Sequence, residues 1–168
     1  MQNGRAVEVI KSRRSIRSYL DIQIPDSDLN SILEAGLYAP SGKNRQPWRF
    51  LIIKDKNKIR QISKFTAYSR FMHNAPVLVL VYLASSGDYS IEKDILSIGA
   101  CMQNILLAAA EKGYGSCVIG ELYSLKLEIE NMNHMEYKLI CGICIGKSKE
   151  KEYGVEFKEL QHFLLGVL

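Results

Sequence analysis

Seven consecutive apolar residues, VLVLVYL at positions 77–83, constrain the fold of this chain more than any other feature. Side chains along a β-strand alternate between the two faces of its sheet, so a strand built from this run is apolar on both faces. Strands of this kind lie inside sheets that are covered on both sides. The run therefore predicts the centre of a sheet with a layer of structure on each face.

The rest of the chain alternates between helical and strand patterns. One helix opens at Pro25-Asp26 with Asp26 or Ser27 as its cap, and Gly113 ends the longest helix. A small sheet among several helices indicates an α+β or α/β arrangement, with strand directions left open. The patterns predict helices over residues 6–12, 26–39, 55–65, 92–112 and 125–132, strands over 48–54, 77–83, 116–119 and 138–145, and a terminal helix or arm over 157–165.

Length and composition indicate an ordinary globular protein. The chain has 168 residues, 47% of them hydrophobic and 24% charged, which suits one domain over residues 1–168. The net charge of +4 is small and spread out, which argues against a nucleic-acid partner. The longest apolar stretches, residues 75–85 and 139–145, are too short to span a bilayer, and residues 1–9 contain no apolar signal region. We therefore expect a cytoplasmic protein with no membrane partner.

Four cysteines include a C-x-x-C pair, Cys141 and Cys144. The pair lies within the apolar run of residues 139–145, which is typical of a buried strand, and no second pair completes a zinc site. We expect these cysteines to pack as small hydrophobic residues and no metal to bind.

Two polar segments are the candidates for chemistry, since the nucleotide-binding glycine motifs and the hydrolase elbow are absent. The arginine segment (residues 13–17) offers three guanidinium groups and one hydroxyl, a donor set suited to a phosphate. A solvated basic turn accounts for the same residues at least as well. The proline loop (residues 40–48) carries two amide side chains that could bind the edge of a ring, or is an ordinary loop beside a packed Trp48.

The two segments together resemble the nitroreductase family of flavin enzymes. The family-like sequences are RRSIRSY at residues 13–19 and PSGKNRQPW at residues 40–48. Further similarities follow in the same order and extend the resemblance over residues 6–147. They are Ala75-Pro76 before the apolar strand, Asp94 and Gln103-Asn104 on what resembles a central dimer-forming helix, GYGSCVIG at residues 113–120, and the final strand ending at Gly146.

The resemblance implies a fold, a cofactor and a set of binding residues. The fold is α+β, with a mixed, mainly antiparallel small sheet between helices, in a homodimer that shares two FMN sites. The arginine segment would hold the FMN phosphate, the proline loop would come from the other subunit, and a strand end would lie beside the flavin. The implied residues are Arg13, Arg14, Ser15 and Arg17; Pro40, Ser41, Gly42 and Asn44; Ile119 and Gly120; and, as candidates for a further phosphate ligand, Lys147 and Lys149.

The activity implied is an FMN-dependent oxidoreductase that takes electrons from NAD(P)H and passes them to nitro compounds, quinones or similar acceptors in a ping-pong cycle. No catalytic acid or base is named, because the cofactor carries the redox chemistry. The alternative is an FMN-binding protein of the same fold that uses another donor, such as ferredoxin, or serves as a non-catalytic flavin carrier or sensor.

Overall fold

A four-stranded sheet forms the centre of the computed structural model, which describes residues 5–84, 89–125, 129, 131, 136–149 and 155–165. The strands are β1 (Trp48–Ile53), β2 (Val77–Leu83), β3 (Gly115–Ile119) and β4 (Lys138–Gly146), in the order β1-β2-β4-β3. Each neighbouring pair is antiparallel, and a parallel bridge joins Ser15 to Ser116 at the edge strand. The sheet is mixed and mainly antiparallel, so of the two arrangements left open by the sequence the α+β one is correct.

Four of the helices lie within two residues of the predicted bounds, whereas the short helix at Ser69–Met72 is not among the predicted ones. The helix predicted over residues 125–132 falls largely outside the described residues, and the terminal segment forms only a short 3₁₀ turn at Leu160–Phe163. Two further 3₁₀ turns follow the second helix and β3, at Gly42–Asn44 and Gly120–Leu125. The helices are α1 (Arg5–Ser12), α2 (Asp26–Leu37), α3 (Lys56–Ser63), α4 (Ser69–Met72) and α5 (Ile91–Glu111).

Both faces of β2 are covered, as its sequence predicts. Its seven side chains are 0–1% exposed, and burying one such aliphatic side chain contributes about 1.5–3 kcal/mol. Val77, Val79 and Val81 belong to a cluster with residues of α2 and α5, including Ile32 and Ile105. On the other face, the cluster joins Leu78, Leu80 and Tyr82 of β2 to residues of α3 and α4, namely Ile59, Ile62 and Met72.

Side-chain caps define where two of the helices begin. The Asp55 carboxylate accepts hydrogen bonds from the backbone N of Asn57 at 2.7 Å and of Lys58 at 3.1 Å, which starts α3. Ser90 caps α5 by accepting from the backbone N of Lys93. The cap expected for α2 is wrong: Pro25 holds that position without a side-chain bond, because Asp26 lies inside the helix and pairs with Lys54.

The end of α5 and the cysteines follow the sequence expectations. Gly113 has a φ of 72°, the left-handed conformation that ends a helix at glycine. All four cysteines are buried and free, and burial raises the pKa of Cys101 and of Cys141 to about 12. Within the described ranges, His, Cys, Asp and Glu form no group of three that could hold a metal ion. None of the described helices is both long enough and apolar enough to cross a membrane.

We predict that Asp55→Ala lowers the free energy of unfolding by about 1 kcal/mol, because two backbone donors of α3 lose their acceptor. Asp55→Asn is the matched control, since it removes the charge but keeps an acceptor oxygen. Urea unfolding of the three proteins measures the effect. Equal losses in the two variants would show that the charge, and not the cap, matters.

Candidate functional site

The arginine segment is fixed in place by backbone pairing with the edge of the sheet. Ile16 N donates to Ser116 O at 3.0 Å, beside the parallel bridge between Ser15 and Ser116. Further along, Leu20 N donates to Lys147 O at 2.9 Å, and Lys149 N donates to Ser18 O at 2.9 Å. The segment therefore follows β3 and then crosses to the chain leaving β4.

Close packing sets how near this segment comes to the sheet. A Cβ atom built on Gly115 would lie 2.7 Å from the side chain of Ile16, so only glycine permits the observed approach. Tyr19 is buried, and its hydroxyl donates to Ile16 O at 2.5 Å. These contacts hold the backbone from which the arginines project.

A cleft of about 800 Å³ lies along the arginine segment, a volume typical of cofactor pockets. It gathers the four residues predicted to bind phosphate: Arg13, Arg14, Ser15 and Arg17. None of the described residues lining the cleft is acidic, so its charged groups are all cationic. The other lining residues include Ala110 at the end of α5, residues 113–116 at the start of β3, Ser148 and Phe157.

The donors in this cleft are only partly used within the chain. Arg14 Nη1 donates to the carbonyl oxygens of Lys11 and Arg13, at 2.6 and 2.9 Å, and its guanidinium lies 5.8 Å from the centre of the Phe157 ring. The Ser116 hydroxyl is buried, with no hydrogen-bond partner in the part of the chain that the structure describes. Buried polar groups are nearly always paired, so this hydroxyl is unusual, but its oxygen has almost no accessible surface through which a ligand could reach it.

Two lysines predicted as further phosphate ligands lie beside the cleft rather than in its lining. Lys147 Nζ donates to Gly113 O at 3.1 Å and lies 4.0 Å from the centre of the Tyr114 ring. The Lys149 side chain is exposed to solvent. Lys147 therefore touches a lining residue of the cleft, whereas the backbone of Lys149 bonds to Ser18, the residue that follows the arginine segment.

The proline loop lies elsewhere in the same chain. Pro40, Ser41 and Gly42 line a shallow cleft of about 330 Å³ with residues of the first half of α5, including Ser97. The larger cleft contacts α5 at Ala110, ten residues beyond Ala100, the last α5 residue that lines the shallow cleft, which is about 15 Å along a helix. Within the described residues the loop and the arginine segment therefore line two separate clefts.

Ile119 and Gly120 also lie outside the lining of the cleft. Ile119 is buried at the end of β3, and Gly120 is exposed at the start of the following turn. The next residue, Glu121, accepts hydrogen bonds from the Thr66 hydroxyl and from Ala67 N, the latter at 3.1 Å. This carboxylate therefore joins the strand end to the segment that leads into α4.

An ionic cluster that the sequence reasoning missed borders the cleft at Tyr114. The Tyr114 hydroxyl donates to Asp28 Oδ2 at 2.7 Å, and Lys112 Nζ lies 3.2 Å from Asp28 Oδ1. The hydrogen bond from Tyr114, and after it the one from Lys112, lowers the pKa of Asp28. The same bond raises the pKa of Tyr114. No sequence signal joins residues 28 and 114, whereas Ser116 could have been noticed as a polar residue within an apolar strand.

Comparison with known proteins gives a family match over most of the chain. The model described as the nitroreductase family matches residues 10–69 and 65–147. A protein of Archaeoglobus fulgidus assigned as an NADH dehydrogenase/NAD(P)H nitroreductase is 35% identical over 115 residues, which are 68% of this chain and 66% of that protein. A protein of the same assignment from Methanothermobacter thermautotrophicus is 31% identical over 129 residues, 77% of this chain and 67% of that protein. The matches thus span about two thirds of each relative's length.

A solved structure extends the likeness to the whole chain. It belongs to a Desulfovibrio desulfuricans protein assigned as a nitroreductase, crystallised in complex with FMN. The two structures agree with a TM-score of 0.92 at 30% sequence identity, and the alignment covers 99% of each chain.

We predict that Asp28→Asn reduces stability at neutral pH and that the reduction shrinks in acid. A carboxyl group whose pKa is lowered by folding stabilises the protein above its unfolded pKa and loses that contribution as the pH falls through the folded value. Urea midpoints of the wild type and the variant should therefore differ most near pH 7 and converge progressively as the pH falls below about 4 and through the lowered pKa of Asp28. Tyr114→Phe removes the same bond and should show the same dependence; a pH-independent difference would contradict this account.

Proposed function

Because this chain belongs to the nitroreductase family, we propose that it binds FMN in the arginine cleft and moves electrons from NAD(P)H to nitro compounds, quinones or similar acceptors. The observation that carries the proposal is the cleft itself, in which three arginines and a serine meet without an acidic neighbour among the described lining residues. Its position on a fold shared with an FMN complex supports the choice of ligand.

The donor set fits the chemistry of FMN. A phosphate monoester carries up to two negative charges, and planar guanidinium groups bind such oxygens through paired hydrogen bonds. Arg13, Arg14, Ser15 and Arg17 would hold the phosphate, with Lys147 as the nearest additional cation.

Binding and orientation are the tasks of this chain's own residues. FMN, when bound, supplies the two-electron chemistry, with donor and acceptor using one site in turn. The arginine segment fixes the phosphate end, because its backbone is tied to β3 and to residues 147–149. Protons come from water or substrate, so the proposal assigns no residue of this chain as an acid or base.

We further propose that two chains share each site in a homodimer. Within one chain, the proline loop and the arginine segment line separate clefts whose nearest α5 residues, Ala100 and Ala110, are about 15 Å apart along the helix. A two-fold axis across α5 would set the first half of one helix against the second half of its partner, which brings the loop of one chain towards the cleft of the other. The outer face of α5 supports this pairing, since Leu96 is 74% exposed and a Cβ on Gly99 would meet no atom within 4 Å.

The first test is FMN binding to the purified protein. We expect a yellow protein with one FMN per chain, and we expect Arg13→Ala to weaken FMN binding roughly 10- to 100-fold, the effect of losing a hydrogen bond to a charged group. Arg60→Ala, which removes an exposed arginine of α3, should leave the affinity unchanged. A wild-type protein that stays colourless when FMN is added would overturn the proposal.

Turnover is tested separately, by anaerobic mixing of the FMN-bound protein with NADH or NADPH. Bleaching of the flavin absorbance, reversed by a nitroaromatic compound or a quinone, is the expected result. Stable FMN binding without bleaching by either nucleotide would instead support the alternative of another donor, such as ferredoxin, or a carrier role.

The shared site predicts that Gly99→Trp produces a monomer with weakened FMN binding. The chain itself offers open space at this position, so the large side chain should disturb only a partner. Analytical ultracentrifugation gives the mass and circular dichroism checks the fold. Arg60→Trp is the control, because α3 lies on the opposite face of the sheet from α5. A Gly99→Trp protein that remains dimeric would count against this interface.

A further inference from the structure

The proline loop holds a backbone shape that its residues do not adopt on their own. Lys43, Asn44 and Gln46 have φ angles of 54°, 55° and 48°, in the left-handed region that residues with a Cβ rarely occupy. Bonds inside the loop, such as Gln46 N to Ser41 Oγ at 3.0 Å, contribute to the shape. A strained backbone persists only where the surrounding contacts impose it, so the contacts around this loop determine its conformation.

A buried carboxylate lies beneath the loop. Asp94, in the first turn of α5, is fully buried, and its Oδ1 lies 3.6 Å from Nε of Arg45. Among the described residues neither oxygen of this carboxylate has a hydrogen-bond partner. A buried charge without compensation is costly, so Arg45 is held at this position as the counter-ion of Asp94.

Tyr89 also packs against the side chain of Arg45. The Arg45 guanidinium lies 4.9 Å from the centre of the Tyr89 ring, with Lys93 and Lys43 near the ring at 5.7 and 6.0 Å. The Tyr89 hydroxyl lies directly over Gly42, where a Cβ atom would be 1.7 Å away. Arg45 therefore lies between Asp94 of α5 and Tyr89, the residue that precedes the cap of α5. These contacts hold the loop in place together with Arg45.

We propose that Asp94 is a positioning residue that acts through Arg45. It fixes the left-handed backbone of residues 43–46 so that Ser41 and Asn44 meet the cofactor bound in the cleft of the partner subunit. The inference rests on the proposed function, since it requires an FMN site shared by two chains.

The chemistry of the pair favours positioning over simple stabilisation. Replacing a buried ion pair with apolar side chains is often neutral or stabilising, so a buried carboxylate is a poor device for holding a fold together. The pair instead fixes a position, because a buried carboxylate stabilises a cation that is held close to it. The cation it holds here belongs to the strained loop.

The test uses two mixed dimers that carry the same substitutions in different arrangements. Differently tagged chains are co-expressed and the mixed dimers purified on both tags. In the first, one chain carries Arg13→Ala with Ser15→Ala and the other carries Asp94→Asn. In the second, one chain carries all three substitutions and the other is wild type. Total composition, and with it the expected stability, is identical.

Titration with FMN, followed by flavin fluorescence, distinguishes the arrangements. If Asp94 acts on the site in the partner's cleft, the first dimer keeps one intact site and binds half its FMN with wild-type affinity. The second dimer then has one defect in each site and binds no FMN with wild-type affinity. Asp94→Asn alone should weaken binding roughly tenfold, as expected for one misplaced hydrogen bond.

Identical titrations of the two mixed dimers would overturn the proposal, because a purely structural effect does not depend on the arrangement. An intact site in the second dimer instead of the first would overturn it as well, by placing the effect of Asp94 in its own chain's cleft. Wild-type protein that binds no FMN would mark the failure of the proposed function itself. If Asp94→Asn does not fold, Arg45→Met takes its place, with Arg45→Lys expected to retain part of the affinity.

Discussion

A strand that is apolar on both faces can exist in water only when both faces are covered, and β2 imposes this condition on the whole molecule. Helices α2 and α5 cover one face, and α3, α4 and the turn after β3 cover the other. At the far end of the same sheet, β3 pairs only with β4 and is therefore an edge strand with unpaired backbone groups. The arginine segment satisfies part of that edge through Ile16 and Ser116, so the candidate site lies at this edge of the sheet.

Helix α5 supports both polar segments and holds them apart. The proline loop packs on the first half of α5, and the arginine cleft lies at the end of α5. Because the rise per residue of a helix is fixed, the distance between these two positions is fixed as well. In the homodimer that we propose, a ligand that touches both segments would lie between two chains. The ionic contact between Asp94 and Arg45 lies at the point where α5 meets the loop, which makes the start of this helix part of the site that we propose for the partner.

The sequence predicted those features that depend on local pattern. The bounds of β2, the end of α5 at Gly113 and the burial of the cysteines follow from hydrophobic spacing and from the conformational freedom of one glycine. The expected cap of α2 is wrong because the helix begins one residue earlier than that pattern indicates, with Pro25 at the cap position and Asp26 already helical. The pairing of Asp28 with Tyr114 and the position of Ser116 in the cleft arise from long-range packing, which no spacing rule encodes. The roles of the predicted site residues in FMN binding remain predictions.

The four buried cysteines have a further consequence for the chemistry that we propose. Quinones are electrophiles that alkylate thiolates, and thiols react only to the extent that they ionise and are reached by solvent. Burial raises the pKa of Cys101 and of Cys141 to about 12 and also raises the pKa of Cys144. Cys117 is buried in β3. The four cysteines therefore present no accessible thiolate to a quinone acceptor, so repeated turnover with quinones would not arylate them.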